Sequence, residues 1–112
     1  PTEMFRFKEI LNKNGYTVLE ATNGADGVTV AQAEQPDLVL MDVVMPGVNG
    51  FQATRQIARG EKTKHIPIVI VSTKDQATDR VWGKRQGASD YLTKPVDENK
   101  LIEVIRQYIN AG

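Results

Sequence analysis

Apolar residues recur along the chain at two spacings, one typical of helices and one of strands. Apolar positions three or four residues apart predict five amphipathic helices. These are residues 3–14, 23–34, 51–58, 75–86 and 97–109. Short apolar runs between the helices predict four strands. These are residues 16–20, 37–41, 66–71 and 88–93.

The alternation of helices and strands with short connections predicts an α/β fold, a doubly wound parallel sheet. The runs 37–41 and 66–71 are nearly continuous in apolar residues, which indicates strands buried on both faces. In sheets of this kind ligands bind beyond the carboxyl ends of the strands. Functional side chains are therefore expected at that edge.

Composition narrows the class of protein without pointing to a partner. The 112 residues fit one domain, and 14 basic residues balance 14 acidic ones, so no net charge attracts nucleic acid or an anionic membrane. The lack of cysteine excludes a disulfide scaffold and thiolate metal sites. Because no membrane-length apolar run and no signal-peptide pattern is found, we expect a cytoplasmic protein.

Polar side chains follow three of the predicted strands. Asp42 follows the second strand, Ser72 and Thr73 follow the third, and Lys94 follows the fourth. Taken singly, these residue types are common in caps, turns and surfaces. Together they place a carboxylate, two hydroxyls and a cation at one edge, and a carboxylate is a suitable acceptor for a phosphoryl group. The acyl phosphate carries about two negative charges and needs hydrogen-bond donors and cations nearby, among them Mg²⁺.

These segments resemble the conserved segments of one protein family. The run LVLMDVVMPGVNG around Asp42 resembles the phosphoacceptor segment of two-component response-regulator receiver domains. VSTK around Ser72 and YLTKP around Lys94 resemble two further segments of that family. Thirty residues separate Asp42 from Ser72 and twenty-two separate Ser72 from Lys94, as expected of the family. Within the family, the segments GFQATRQ and TKDQ…DRVWG resemble those of single-domain regulators of the PilH type, which act in type IV pilus twitching motility.

The resemblance implies a role for each matching residue. Asp42 would be phosphorylated by a histidine kinase or its phosphotransfer domain, while Lys94 and Ser72 would bond the phosphoryl group. Tyr91 would turn inward behind Ser72 and reshape the face of the fourth helix, last strand and last helix, to which a downstream protein binds. Asp42 and the backbone carbonyl of Val44 would be ligands of Mg²⁺.

The chain departs from the family pattern at its start. Roughly nine or ten residues of the flavodoxin-like pattern are absent before Pro1, including an apolar first strand that ends in two acidic Mg²⁺ ligands. The metal site is therefore expected to be weak or absent. Because the missing strand is central, we expect the runs 16–20 and 37–41 to pair directly, or with another chain in a domain-swapped dimer. Alternatively the sequence is a piece of a longer receiver.

Two further sets of residues are expected to modify the signal. Val44 and Lys74 each lie two residues after a site residue, where family members flank the path of the water that hydrolyses the acyl phosphate. Val44 cannot bond this water, so we expect slow dephosphorylation in a receiver with intact acidic ligands. Trp82 lies in an otherwise polar helix, and is either a core residue or an aromatic anchor on a partner-binding face with Tyr91.

The leading hypothesis is a single-domain response regulator, not an enzyme, that accepts a phosphoryl group on Asp42 and signals by protein–protein contact. One alternative is a receiver-like scaffold that binds partners without taking phosphate, because the acidic pair is missing. Another is a phosphatase of the haloacid-dehalogenase type, which also combines a strand-end Asp with Ser or Thr and Lys. That class has a second Asp two residues after the nucleophile, where this chain has Val44.

Overall fold

Helices and strands alternate from the second helix onward, as the sequence predicts, whereas the first two helices follow one another with no strand between them. The computed structural model describes residues 2–43, 50–73 and 77–109. Its helices are α1 (Thr2–Lys13), α2 (Gly24–Glu34), α3 (Gly50–Arg59), α4 (Ala77–Arg85) and α5 (Glu98–Ile109). Its strands are β1 (Val39–Asp42), β2 (Ile68–Ser72) and β3 (Asp90–Thr93). The five predicted helices and three of the four predicted strands are confirmed, with ends shifted by one or two residues; the predicted start of the fourth helix, residues 75–76, lies outside the described residues.

The described strands form one parallel sheet in the order β1-β2-β3. Asp42 lies beside Val71 in the register of β1 and β2, and Ser72 lies beside Thr93 in the register of β2 and β3. Every residue of β2 is buried, which confirms the prediction made from its continuous apolar run. Because the three strands are parallel, their carboxyl ends meet at one edge of the sheet.

Helices cover both faces of the sheet, so the side chains of β2 alternate between two cores. Val69 and Val71 pack in a cluster with residues of α1 and α5. Ile68 and Ile70 pack in a second cluster with residues of α2 and α3. This arrangement is the doubly wound parallel sheet that the sequence predicts.

The predicted strand at residues 16–20 does not form. Residues 16–21 have no regular secondary structure, and β1 pairs with β2 alone among the described strands. A cleft of about 640 Å³ lies between residues 16–21 and β1. Its lining includes Leu19 from the first of these segments and Leu40 from the second. Direct pairing is therefore a wrong prediction: paired backbones lie roughly 5 Å apart, and the cleft separates these two.

A tyrosine near the end of α5 fixes that helix to the start of β3. The hydroxyl of Tyr108 donates to the carbonyl oxygen of Ser89 at 3.0 Å and lies 3.3 Å from Oδ2 of Asp90. Burial raises the pKa of Tyr108 above its usual value, and the charge and hydrogen bond of the Asp90 carboxylate raise it further. The phenol is thus held in its neutral, donating form.

The start of α3 packs so closely against the residue after β1 that a methyl group added at Gly50 is expected to lower the stability of the fold. A Cβ atom at Gly50 would lie 2.5 Å from the Cα atom of Val43, the residue after Asp42. We therefore expect Gly50→Ala to lower the free energy of unfolding by about 2–3 kcal/mol, since the backbone must shift to accommodate the side chain.

Gly27 provides the matched control, because it lies in α2 where an added Cβ atom meets no close neighbour. A Cβ atom there meets the Cβ atom of Ala21 at 3.9 Å, an ordinary contact. Gly27→Ala should therefore raise the free energy of unfolding by about 0.5–1 kcal/mol, the usual gain from alanine in a helix. Urea denaturation of both variants measures the difference. Equal stabilities would contradict the close contact at Gly50.

Candidate phosphoacceptor site

An ion pair lies at the carboxyl edge of the sheet. Asp42 is the last residue of β1, and Lys94 is the first residue after β3. The Nζ atom of Lys94 donates to Oδ2 of Asp42 at 2.8 Å. The lysine side chain is 14% exposed and the aspartate side chain is 25% exposed. Because most of the surrounding water is excluded, the attraction is stronger than that of a surface pair.

Ser72 occupies the strand between these two residues. It is fully buried at the end of β2, and its carbonyl oxygen accepts a hydrogen bond of 2.7 Å from the backbone N–H of Lys94. Thr73, by contrast, is exposed. The structure therefore brings the carboxylate, the cation and one of the two predicted hydroxyls to a single edge, and leaves Thr73 on the surface.

The two aromatic residues singled out in the sequence lie in different environments. Tyr91 is 3% exposed and packs in the core cluster on the α2 and α3 face of the sheet. Trp82 projects from α4 and is 49% exposed. The interpretation of Trp82 as a core residue is therefore wrong, because the side chain lies on the outer surface of its helix.

Two predicted positions lie outside the described residues. These are Val44, the proposed backbone ligand of Mg²⁺, and Lys74; both were also expected to affect the lifetime of the acyl phosphate. Their roles remain predictions.

The described residues are a poor fit for Mg²⁺ on their own. Within residues 2–43, 50–73 and 77–109, no three side chains of His, Asp or Glu come together as a possible metal site. Asp42 supplies one carboxylate at the edge, whereas Glu9 and Asp26 are exposed on helices. A near-octahedral Mg²⁺ ion needs about six oxygen ligands. Asp42 alone therefore does not form a complete Mg²⁺ site among the described residues.

The chain belongs to the response regulator receiver domain family, whose model matches residues 1–106. The members of this family are signalling domains and are not generally enzymes. Membership in it therefore argues against the hypothesis of a haloacid-dehalogenase-type phosphatase. The chain is 62% identical to the protein PilH of Pseudomonas aeruginosa over 105 residues, which are 94% of this chain and 87% of that protein. It is 40% identical to the response regulator PleD of Caulobacter vibrioides, over 81% of this chain but 20% of that longer protein.

Solved structures give the same assignment. The receiver domain of a sensor histidine kinase from Pseudomonas aeruginosa PAO1 superimposes with a TM-score of 0.91, at 28% identity, over 99% of this chain and 91% of that one. That crystal structure has a magnesium ion coordinated in its active-site cleft. The fold is therefore the flavodoxin-like fold of receiver domains. In the described part of the chain, no helix is long and apolar enough to cross a bilayer.

Arg80 of α4 is a contact residue that the sequence pattern does not mark. Its guanidinium lies over the ring of Tyr91 and donates to the hydroxyl of Thr93. In the sequence, Arg80 is one charged residue in a polar helix, and nothing in its spacing distinguishes it from Arg85. The contact depends on how closely α4 packs against β3, which is a property of the folded chain.

Proposed function

We propose that the chain is a single-domain response regulator that accepts a phosphoryl group on Asp42 from a histidine kinase or its phosphotransfer domain. It then signals by contact with a downstream protein, in the control of twitching motility. The observation that supports this most directly is the ion pair of Lys94 with Asp42, held at 2.8 Å beside buried Ser72. Similarity to PilH supports the motility role, and a cytoplasmic location remains a prediction.

The proposed step is a transfer between a nitrogen or oxygen donor and the carboxylate. A carboxylate oxygen of Asp42 attacks phosphorus, a P–O bond forms, and the donor's bond to phosphorus breaks with its electron pair leaving on the donor. The product carries about two negative charges, so a fixed cation stabilises it more than it stabilises the starting carboxylate. Lys94 is placed to be that cation, and Ser72 is the hydroxyl donor on the neighbouring strand.

The proposed output surface is the outer side of α4. Val81 and Trp82 are adjacent there and 52% and 49% exposed. Exposed aromatic residues are typical anchors of protein–protein contacts. The same helix packs on the buried Tyr91 through its backbone at Gly83, so a change around Tyr91 acts directly on the helix that carries this surface. We propose that the downstream partner is a protein that binds this surface.

Intact mass spectrometry tests phosphoryl transfer directly. The chain is incubated with a small-molecule phosphodonor such as acetyl phosphate, with and without Mg²⁺, and the modified peptide is located. We expect one added phosphoryl group, on the peptide that contains Asp42. No addition under either condition would instead support the scaffold alternative, which is favoured by the single carboxylate that the described residues provide at the edge.

The open cleft beside β1 is consistent with the predicted domain-swapped dimer. A strand from a second copy would have space between residues 16–21 and β1. We propose that two chains exchange strands there, which would pair the edge of β1 that faces the cleft. Sedimentation velocity across a range of concentrations tests this proposal. We expect a dimer, whereas a monomer at every concentration would contradict it.

A further inference from the structure

The ring of Tyr91 is enclosed by side chains of its own sheet and of α4. Tyr91 is 3% exposed, although it lies in the strand next to the helix that carries the exposed Val81 and Trp82. A Cβ atom at Gly83 would lie 3.2 Å from Cδ2 and 3.4 Å from Cε2 of Tyr91, so the helix backbone itself packs against the ring. The same Cβ atom would lie 3.0 Å from Cδ1 of Ile70. The space for the ring therefore depends on a residue without a side chain at position 83.

Arg80 covers the ring from the same helix, one turn before Gly83. Its Cζ atom lies 5.3 Å from the centre of the Tyr91 ring, within the distance of a cation–π contact. Its Nη2 atom donates to Oγ1 of Thr93 at 2.9 Å, and Nη1 lies 3.5 Å from the carbonyl oxygen of Tyr91. The planar guanidinium is thus held against β3 at Tyr91 itself and at Thr93, two residues further along the strand.

We propose that Arg80 is a positioning residue that holds the ring of Tyr91 in its buried position. Arg80 lies in α4 and contacts Tyr91 and Thr93 of β3, and none of these contacts involves Asp42. The buried position of Tyr91 is therefore stabilised without any change at Asp42. Because Thr93 directly precedes Lys94, the same side chain connects α4 with the strand end that carries the cation of the site. The inference rests on the proposed function, in which a change around Tyr91 acts on the partner-binding surface of α4.

Hydroxyl-radical footprinting with peptide mass analysis measures the exposure of Tyr91 in the full chain. The half-buried Tyr16 and Tyr108 are internal references. We expect Arg80→Met to raise the oxidation of Tyr91 relative to the references by about tenfold, because a cation–π contact and a hydrogen bond are lost together. Arg80→Lys, which keeps the charge but lacks the planar fork, should give an intermediate value.

Arg85→Met is the matched control, because Arg85 is an exposed arginine of the same helix that makes none of these contacts. It should leave the oxidation of Tyr91 unchanged. If Arg80→Met leaves Tyr91 as protected as in the parent chain, the proposal is wrong. A uniform rise at all three tyrosines would also contradict it, since that result means general loosening of the fold.

The same measurement in the Asp42→Asn background separates this inference from the proposed function. No phosphodonor is used, so the exposure of Tyr91 is read whether or not Asp42 accepts a phosphoryl group. We expect Arg80→Met to expose Tyr91 in this background as well. Failure of phosphoryl transfer would then overturn the proposed function alone, and failure of the exposure change would overturn the positioning role alone.

Discussion

Asp42→Asn should abolish the incorporation of a phosphoryl group. The amide has nearly the shape of the carboxylate, but it is a far weaker nucleophile towards phosphorus because it carries no charge. The loss is expected to be complete, since Asp42 is the carboxylate that lies at the sheet edge with Lys94 at 2.8 Å. Intact mass after incubation with acetyl phosphate, with and without Mg²⁺, gives the measurement.

Asp37→Asn controls for the general reactivity of carboxylates. Asp37 lies two residues before β1, at the opposite end of the strand, and it is exposed. Its replacement should leave the extent and rate of incorporation as in the parent chain. Should Asp42→Asn still take up a phosphoryl group, the acceptor is another residue and the role proposed for Asp42 is wrong.

The sequence predicted those parts of the fold in which local pattern and tertiary packing agree. The continuous apolar run of β2 demanded burial on both faces, and the structure provides it. The run at residues 16–20 also consists largely of strand-forming residues, but it has no paired strand among the described residues, because the cleft lies between it and β1. Strand propensity reflects contacts with neighbouring strands, and without them it does not decide the structure.

The placement of the candidate site was predictable for a related reason. The carboxyl ends of neighbouring parallel strands lie at the same edge of a sheet for any side chains, so the sequence alone predicts that Asp42, Ser72 and Lys94 share one edge. Contacts between a helix and a strand have no such signature in the sequence. The orientation of Trp82 and the reach of Arg80 over Tyr91 both depend on the rotation of α4 about its axis. Its nine residues include few apolar positions to indicate that rotation.

Lys94→Ala should slow phosphoryl transfer to Asp42 by about 10²–10³-fold, the usual effect of removing one fixed charge-stabilising donor. Lys94 is held at the edge by its own backbone bond to Ser72, so the ammonium is in place before the negative charge of the product develops. Cations that must first move into position contribute less. The time course of intact mass with acetyl phosphate measures the rate.

Two further variants show whether the effect is one of charge at this position. Lys94→Arg keeps the charge but presents it as a planar fork, and an intermediate rate is expected. Lys100→Ala removes a lysine from α5 that is 57% exposed, and should leave the rate unchanged. A rate for Lys94→Ala within a few-fold of that of the parent chain would show that the ion pair with Asp42 orders the strand ends without stabilising the transferred group. In that case the negative charge of the transferred group must be stabilised by other hydrogen-bond donors at this edge, and the role proposed for Lys94 is wrong.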